Sequence, residues 1–146
     1  MNQVRDILSR KGATSVSVLP GTTVFDALKI MAEKNIGSVI VMENGQYLGI
    51  VTERDYSRKV ILKGKHSTST RVSEIMTTDH PHISPEDSID HCMELMTRNN
   101  IRYLPVFSNN TLSGIISITD VVKETILAQQ QTISHLESYI HSGAGL

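Results

Sequence analysis

Tryptophan is absent from this 146-residue chain, which carries only four tyrosines and two phenylalanines. Any core must therefore be built from aliphatic side chains. The single cysteine, Cys92, excludes an intrachain disulfide and points to a reducing compartment. Fourteen lysines and arginines oppose fifteen carboxylates, and no basic stripe stands out, which argues against nucleic acid as a partner. No apolar run is long enough to span a bilayer, and Met1–Asp6 contains no apolar signal region. The expectation from these absences is a soluble cytoplasmic protein without a membrane partner. What remains, 39% hydrophobic residues, suffices for a buried core in one compact domain or in two half-domains that share one.

The chain repeats itself. Gly49-Ile50-Val51-Thr52-Glu53-Arg54-Asp55 is echoed by Gly114-Ile115-Ile116-Ser117-Ile118-Thr119-Asp120, an offset of 65. At that offset Pro20/Pro85, Met31/Met96, Asn35/Asn100, Ile36/Ile101 and Val41/Val106 are identical pairs, and no gap is needed from Pro20 to Leu62. The leading segments Val4–Leu8 and Val72–Met76 also match, but at an offset of 68, so copy one carries three extra residues around Ser9–Ala13. A hydroxyl and a carboxylate repeated within matching units point to two related pockets.

Each copy reads as strand, helix, strand, strand, helix. Val16-Ser17-Val18 alternates before Pro20-Gly21, and His82-Ile83 takes the same place before Pro85. Thr22 or Thr23 is expected to cap a helix with an apolar face of Val24, Ala27, Leu28 and Met31; Ser84 or Asp87 is expected to cap its counterpart, which carries Cys92. Asn35 and Asn100 stand where a left-handed residue ends such helices. Asn44-Gly45 between two apolar runs predicts a hairpin, as does Asn109-Asn110 in copy two. Pro105 places its strand where that amide is not needed. Asp55 and Asp120 then open a last helix, where a carboxylate suits the helix dipole and nearby amides can hold an anion. The units expected are 2–62 and 72–127, joined by a polar linker over 63–71 and followed by a helical tail over 128–142 that ends before Gly143-Ala144-Gly145.

A β-α-β-β-α unit ending in Gly-h-h-Thr/Ser-x-x-Asp resembles the cystathionine β-synthase (CBS) domain, and two in tandem resemble a Bateman module. The resemblance covers about residues 2–127. Val51–Lys59 together with Ile101-Arg102-Tyr103-Leu104-Pro105-Val106 is similar to small stand-alone CBS-pair proteins. It implies an α/β (α+β) fold with the repeats packed about a pseudo-two-fold axis. It also implies adenosine nucleotides (AMP, ADP, ATP or NAD(H)) as regulatory ligands, bound in two clefts between the copies, and a homodimer. On the family pattern, Asp55 and Asp120 accept the ribose hydroxyls, while Thr52 and Ser117 donate to phosphate. Each Asp is then expected to face the base-contacting strand of the other copy. Asp55 would meet His80, Ile101, Arg102 and Tyr103; Asp120 would meet Val16, Ile36, Gly37 and Ser38, with Gly37 leaving room for an adenine ring. Arg54 and Arg58, with Lys59, make the first cleft more cationic and suit it to polyphosphate or dinucleotide ligands. The second, with Thr119 in place of Arg54, suits a monophosphate.

Plainer readings stand beside these. Asp55 and Asp120 can serve as helix caps alone, Thr52 and Ser117 as locally bonded hydroxyls, and Arg54 and Arg58 as solvated charges. His80 and His82 flank Pro81 without any accompanying metal-ligand spacing, so no metal site is expected. Cys92 reads as a small core residue. Neither a nucleophile–base constellation nor a glycine-rich phosphate loop is present, so the chain is expected not to be an enzyme and to pass its output to an unidentified downstream protein or to its own dimer. The rivals are an interaction module with vestigial pockets and, behind it, a nucleotide-processing enzyme.

Overall fold

The computed structural model describes residues 2–12 and 15–141. In chain order the elements are α1 (Val4–Lys11), β1 (Ser17–Val18), α2 (Val24–Lys34), β2 (Ser38–Glu43), β3 (Gln46–Thr52), α3 (Glu53–Lys59), α4 (Val72–Ile75), α5 (Ile89–Asn99), β4 (Tyr103–Ser108), β5 (Thr111–Ser117) and α6 (Ile118–Tyr139). β1 runs parallel to β2, and β2 pairs antiparallel with β3; β4 and β5 form the second antiparallel pair. The strand expected over His82-Ile83 is reduced to one parallel bridge, Ile83 to Val106, with Ile83 N–H donating to the Pro105 carbonyl. Both hairpins turn on left-handed residues, Asn44-Gly45 and Asn109-Asn110, as the turn type requires. Both also carry a register shift at the same place, after Val41 and after Val106.

Helix ends follow side-chain chemistry. Thr23 caps α2 by accepting from Asp26 N–H, and Asn35 and Asn100 close α2 and α5 in the left-handed region. The α5 cap, however, is Ser88, not Ser84 or Asp87. Asp87 Oδ2 instead accepts from Ser84 N–H at 2.7 Å, closing the turn before the helix. The local turn takes the carboxylate, and the next free hydroxyl caps the helix.

The leading segments are exchanged between the copies. Val4 and Ile7 of α1 are buried with Ile83, Cys92, Leu104 and Ile116 of copy two, whereas Val72 and Ile75 of α4 are buried with Val24, Met31, Val39 and Val51 of copy one. The docking is reciprocal at the level of single amides. Val4 and Arg5 donate to the Asp87 and Pro85 carbonyls, as Val72 and Ser73 do to Thr22 and Pro20. First-turn amides of a helix have no partner within it, so each exchanged helix satisfies its own from the opposite copy. The motif glycines provide the seats. A Cβ on Gly49 would lie 2.8 Å from the Thr77 carbonyl, and one on Gly114 would lie 3.0 Å from Leu8 Cδ2.

Cys92 is buried on α5, where burial, and then the charge of Asp87, push its thiol up to about 12. The tail continues α6 as one helix to Tyr139; Gly143-Ala144-Gly145 lies outside the described residues.

The two glycines predict unequal mutants. In Gly49→Ala the obstacle is a backbone carbonyl, so the variant is expected to lose about 1–3 kcal/mol of stability in urea unfolding. Gly114→Ala meets only a movable leucine methyl and is expected to change stability by less than about 1 kcal/mol.

Candidate ligand-binding clefts

Thr52 and Ser117 end β3 and β5 and become the N-caps of α3 and α6. Each is joined to its motif Asp, the third residue of the helix, in a capping box. Thr52 N–H donates to Asp55 Oδ2 at 2.9 Å and Asp55 N–H to Thr52 Oγ1 at 3.2 Å; Ser117 and Asp120 repeat both bonds at the same distances. The hydroxyl is thus the cap, and the carboxylate is its reciprocal partner, held in one rotamer at the helix start.

Beyond the box the two sites diverge. Asp55 is only 8% exposed; its Oδ1 pairs with Lys59 Nζ at 3.0 Å and accepts from Thr77 Oγ1 at 3.4 Å. Lys59 also donates to the Ile75 carbonyl. Asp120 pairs instead with Lys11 of the exchanged α1, at 2.7 Å, and Lys11 donates as well to the Ile115 carbonyl. Nearby, the buried Glu124 is held by Arg10 and Asn2. Lys11 aligns with Asp79 at the offset of 68, and Lys59 with Glu124 at 65. Opposite charges have therefore changed places between the sites. Copy two's Asp takes its cation from a distant helix, and copy one's takes it from its own.

One cavity of about 820 Å³ opens around Asp55. It brings together Thr52, Arg54, Asp55 and Arg58 of copy one with His80, Ile101, Arg102 and Tyr103 of copy two. The guanidinium groups of Arg58 and Arg102 make no hydrogen bond or ion pair among the described residues, so both are available to an anion. Arg54 is not: its guanidinium donates to the Asn100 carbonyl at the end of α5, where a cation suits the dipole. Arg54 therefore lines the cleft, as Arg58 and Lys59 do, with its guanidinium directed to that carbonyl. His80 Nε2–H donates to the Tyr103 carbonyl at 2.7 Å and so fixes the strand start, while the ring of His82 packs edge-on against Phe107.

Gly37 lies in this cavity too, and not on the Asp120 side. Its would-be Cβ falls 2.1 Å from the Tyr103 hydroxyl and 2.8 Å from Glu53 Oε1. The space expected for an adenine ring beside Gly37 is filled by Tyr103, because the β2–β3 register sets Ser38 opposite Thr52 of the same copy. Burial, then Glu53, raise the Tyr103 phenol above its ordinary value, against Arg102. Ser38 is buried, Val16 and Ile36 pack on the copy-one core, and Thr119 is exposed beside the half-buried Asp120.

The sequence reading passed over Glu53, Thr77 and Asp79, which line the cavity beside Lys59. With Asp55 they leave the cavity four cations against three carboxylates, one net positive charge. Extending the 68-residue alignment three places past Met76 reaches Asp79, and the exchange of segments is what carries it to Asp55's side. No group of metal-ligating side chains occurs among the described residues.

The sequence profile of the CBS domain matches residues 4–61 and 72–126. The mitochondrial CBS domain-containing protein CBSX3 of Arabidopsis thaliana is 36% identical, over 96% of this chain and 72% of its own length. A solved protein with CBS domains from Burkholderia ambifaria is 45% identical, with a TM-score of 0.83 over 88% of this chain and 96% of that one. A hexameric CBS-CP12 protein from bloom-forming cyanobacteria is 28% identical, with a TM-score of 0.74 over 97% and 88%.

Burial raises the Asp120 carboxyl, but the bonds from Lys11 and Ser117 outweigh it and hold the group below its ordinary 3.8. A depressed folded-state value means that this contribution to stability is present above the unfolded value and lost as pH falls through the folded one. Lys11→Met is expected to move the Asp120 titration upward and to shift that loss to higher pH. Carboxyl-carbon NMR across the acid range checks it.

Proposed function

This chain belongs to the CBS domain family as two repeats in tandem, and on that basis we propose that it is a non-catalytic regulatory module that binds an adenosine nucleotide in the Asp55 cavity. The observation that carries the reading is the pairing of a buried, pre-oriented carboxylate with two free arginines across one cavity of about 820 Å³, lined from both copies. That volume falls in the range of small-molecule sites. Asp55 accepts the ribose hydroxyls, with Lys59 turning from the carboxylate toward the phosphates. Arg58 and Arg102 take the phosphate charge, and Ile101 with Tyr103 flanks the base. Polyphosphate or dinucleotide ligands (ATP, ADP or NAD(H)) suit the two free arginines. The Asp120 side, with Ser117, Thr119 and Lys11 but no arginine in its own motif, suits AMP.

Occupancy changes the contacts between the repeats, and the change passes to a downstream protein or to the association of the chain with itself. A dimer is the smallest assembly consistent with this; the cyanobacterial neighbour is described as hexameric, an arrangement that three dimers also satisfy. No helix among the described residues is long and apolar enough to cross a membrane. The cytoplasm is the compartment proposed, although the Arabidopsis relative is named as mitochondrial.

One observation favours a second reading, an interaction module with vestigial pockets. Both motif carboxylates are already satisfied by a cap and a lysine without any ligand.

A thermal-shift titration separates the two. A ligand that binds only the folded state stabilises it by RT ln(1 + [L]/Kd), about 2.7 kcal/mol at one hundred times Kd. ATP or NAD is expected to raise the Tm of the wild type, and Asp55→Ala to lose most of that rise. Absence of a shift with AMP, ATP and NAD alike at millimolar concentration would establish the second reading.

A further inference from the structure

We propose that α6 forms a parallel two-stranded coiled coil with α6 of a second copy of this chain. The inner face of the helix is set by Val121 and the ion-paired Glu124, both buried against the body. On the outer face Val122, Ile126, Gln129, Ile133, Leu136 and Ile140 succeed one another at intervals of four, three, four, three and four residues. That alternation is the heptad spacing, which keeps one seam facing a partner helix. The five apolar members are between 48% and 59% exposed, so nothing among the described residues buries them. Ile133, Leu136 and Ile140 lie beyond residue 126, where the CBS repeat ends, so the repeat fold has no use for them.

The seam identifies its occupant. Isoleucine at all three a positions (126, 133 and 140), with Leu136 at d, favours two parallel strands; Val122 fills the first d position. Gln129 is the one polar member, at the central d position. In a parallel, in-register pair of identical helices it meets its own copy, and the two amides satisfy each other. In an antiparallel pairing of the same stripe it faces Ile133, and a buried amide without a partner is costly. The flanking e and g positions between Lys123 and Glu137 set no like charges against each other across the seam. A free helix this short is marginal in water. Here its first turns are already fixed by Val121 and by the contacts of Glu124 with Arg10 and Asn2, so the tail extends an existing helix.

This interface is independent of any nucleotide. Single cysteines test it, with wild-type Cys92, buried and inert, as the background. Under mild oxidation Leu136→Cys is expected to give a covalent dimer, while Ser134→Cys, off the seam, stays monomeric on a non-reducing gel. Ile133→Glu combined with Leu136→Glu is expected to at least halve the mass in light scattering, and to leave the thermal unfolding of the body and any nucleotide-induced shift unchanged. The proposal is overturned if Ser134→Cys cross-links as readily as Leu136→Cys, or if the double glutamate variant keeps the wild-type mass.

Discussion

Everything in this protein hangs on the crossing of two short helices. α1 and α4 each leave their own copy and complete the core of the other, so neither copy closes its apolar interior alone. The amides at the start of each crossing helix bond to turn carbonyls of the opposite copy, and the motif glycine beneath is bare so that the crossing segment can lie against the strand. The glycine that opens the Gly-h-h-Thr/Ser-x-x-Asp motif is thus an architectural residue first. It brings the following segment, Thr77 to His80, within reach of Asp55.

The same crossing makes the two clefts different. The last residue of α1 sits beside Asp120, and its counterpart past α4 lies on the Asp55 side. These residues are Lys11 and Asp79, opposite in charge, and each difference is answered on the last helix of the copy by Glu124 or Lys59. One carboxylate is tied to a helix more than a hundred residues away in sequence. The other is tied four residues down its own helix, and its cavity retains two free arginines.

The fold was largely legible. Asn35, Asn44, Asn100 and Asn109 sit at the left-handed positions their spacing implied, because asparagine tolerates that conformation and the pattern around each was unambiguous. The cap of α5 was misjudged because Ser84, Asp87 and Ser88 all have cap chemistry, and only the geometry of the turn decides among them. The cleft was half legible. The resemblance grouped Asp55 with His80, Ile101, Arg102 and Tyr103, and the structure sets all five around one cavity. It could not show that Arg54 is committed to the end of α5, or that Tyr103 fills the space beside Gly37.

The sequence by itself determined the duplication, most elements of each copy and the placing of a hydroxyl and a carboxylate at each last helix's start, because these depend on residues within a few places of one another. Tertiary structure alone decided which leading helix serves which core, which cations remain free, and that Gly37 belongs to the Asp55 side. Those outcomes follow from contacts between residues tens of positions apart, where several pairings satisfy the same local pattern and only simultaneous packing of both copies selects one.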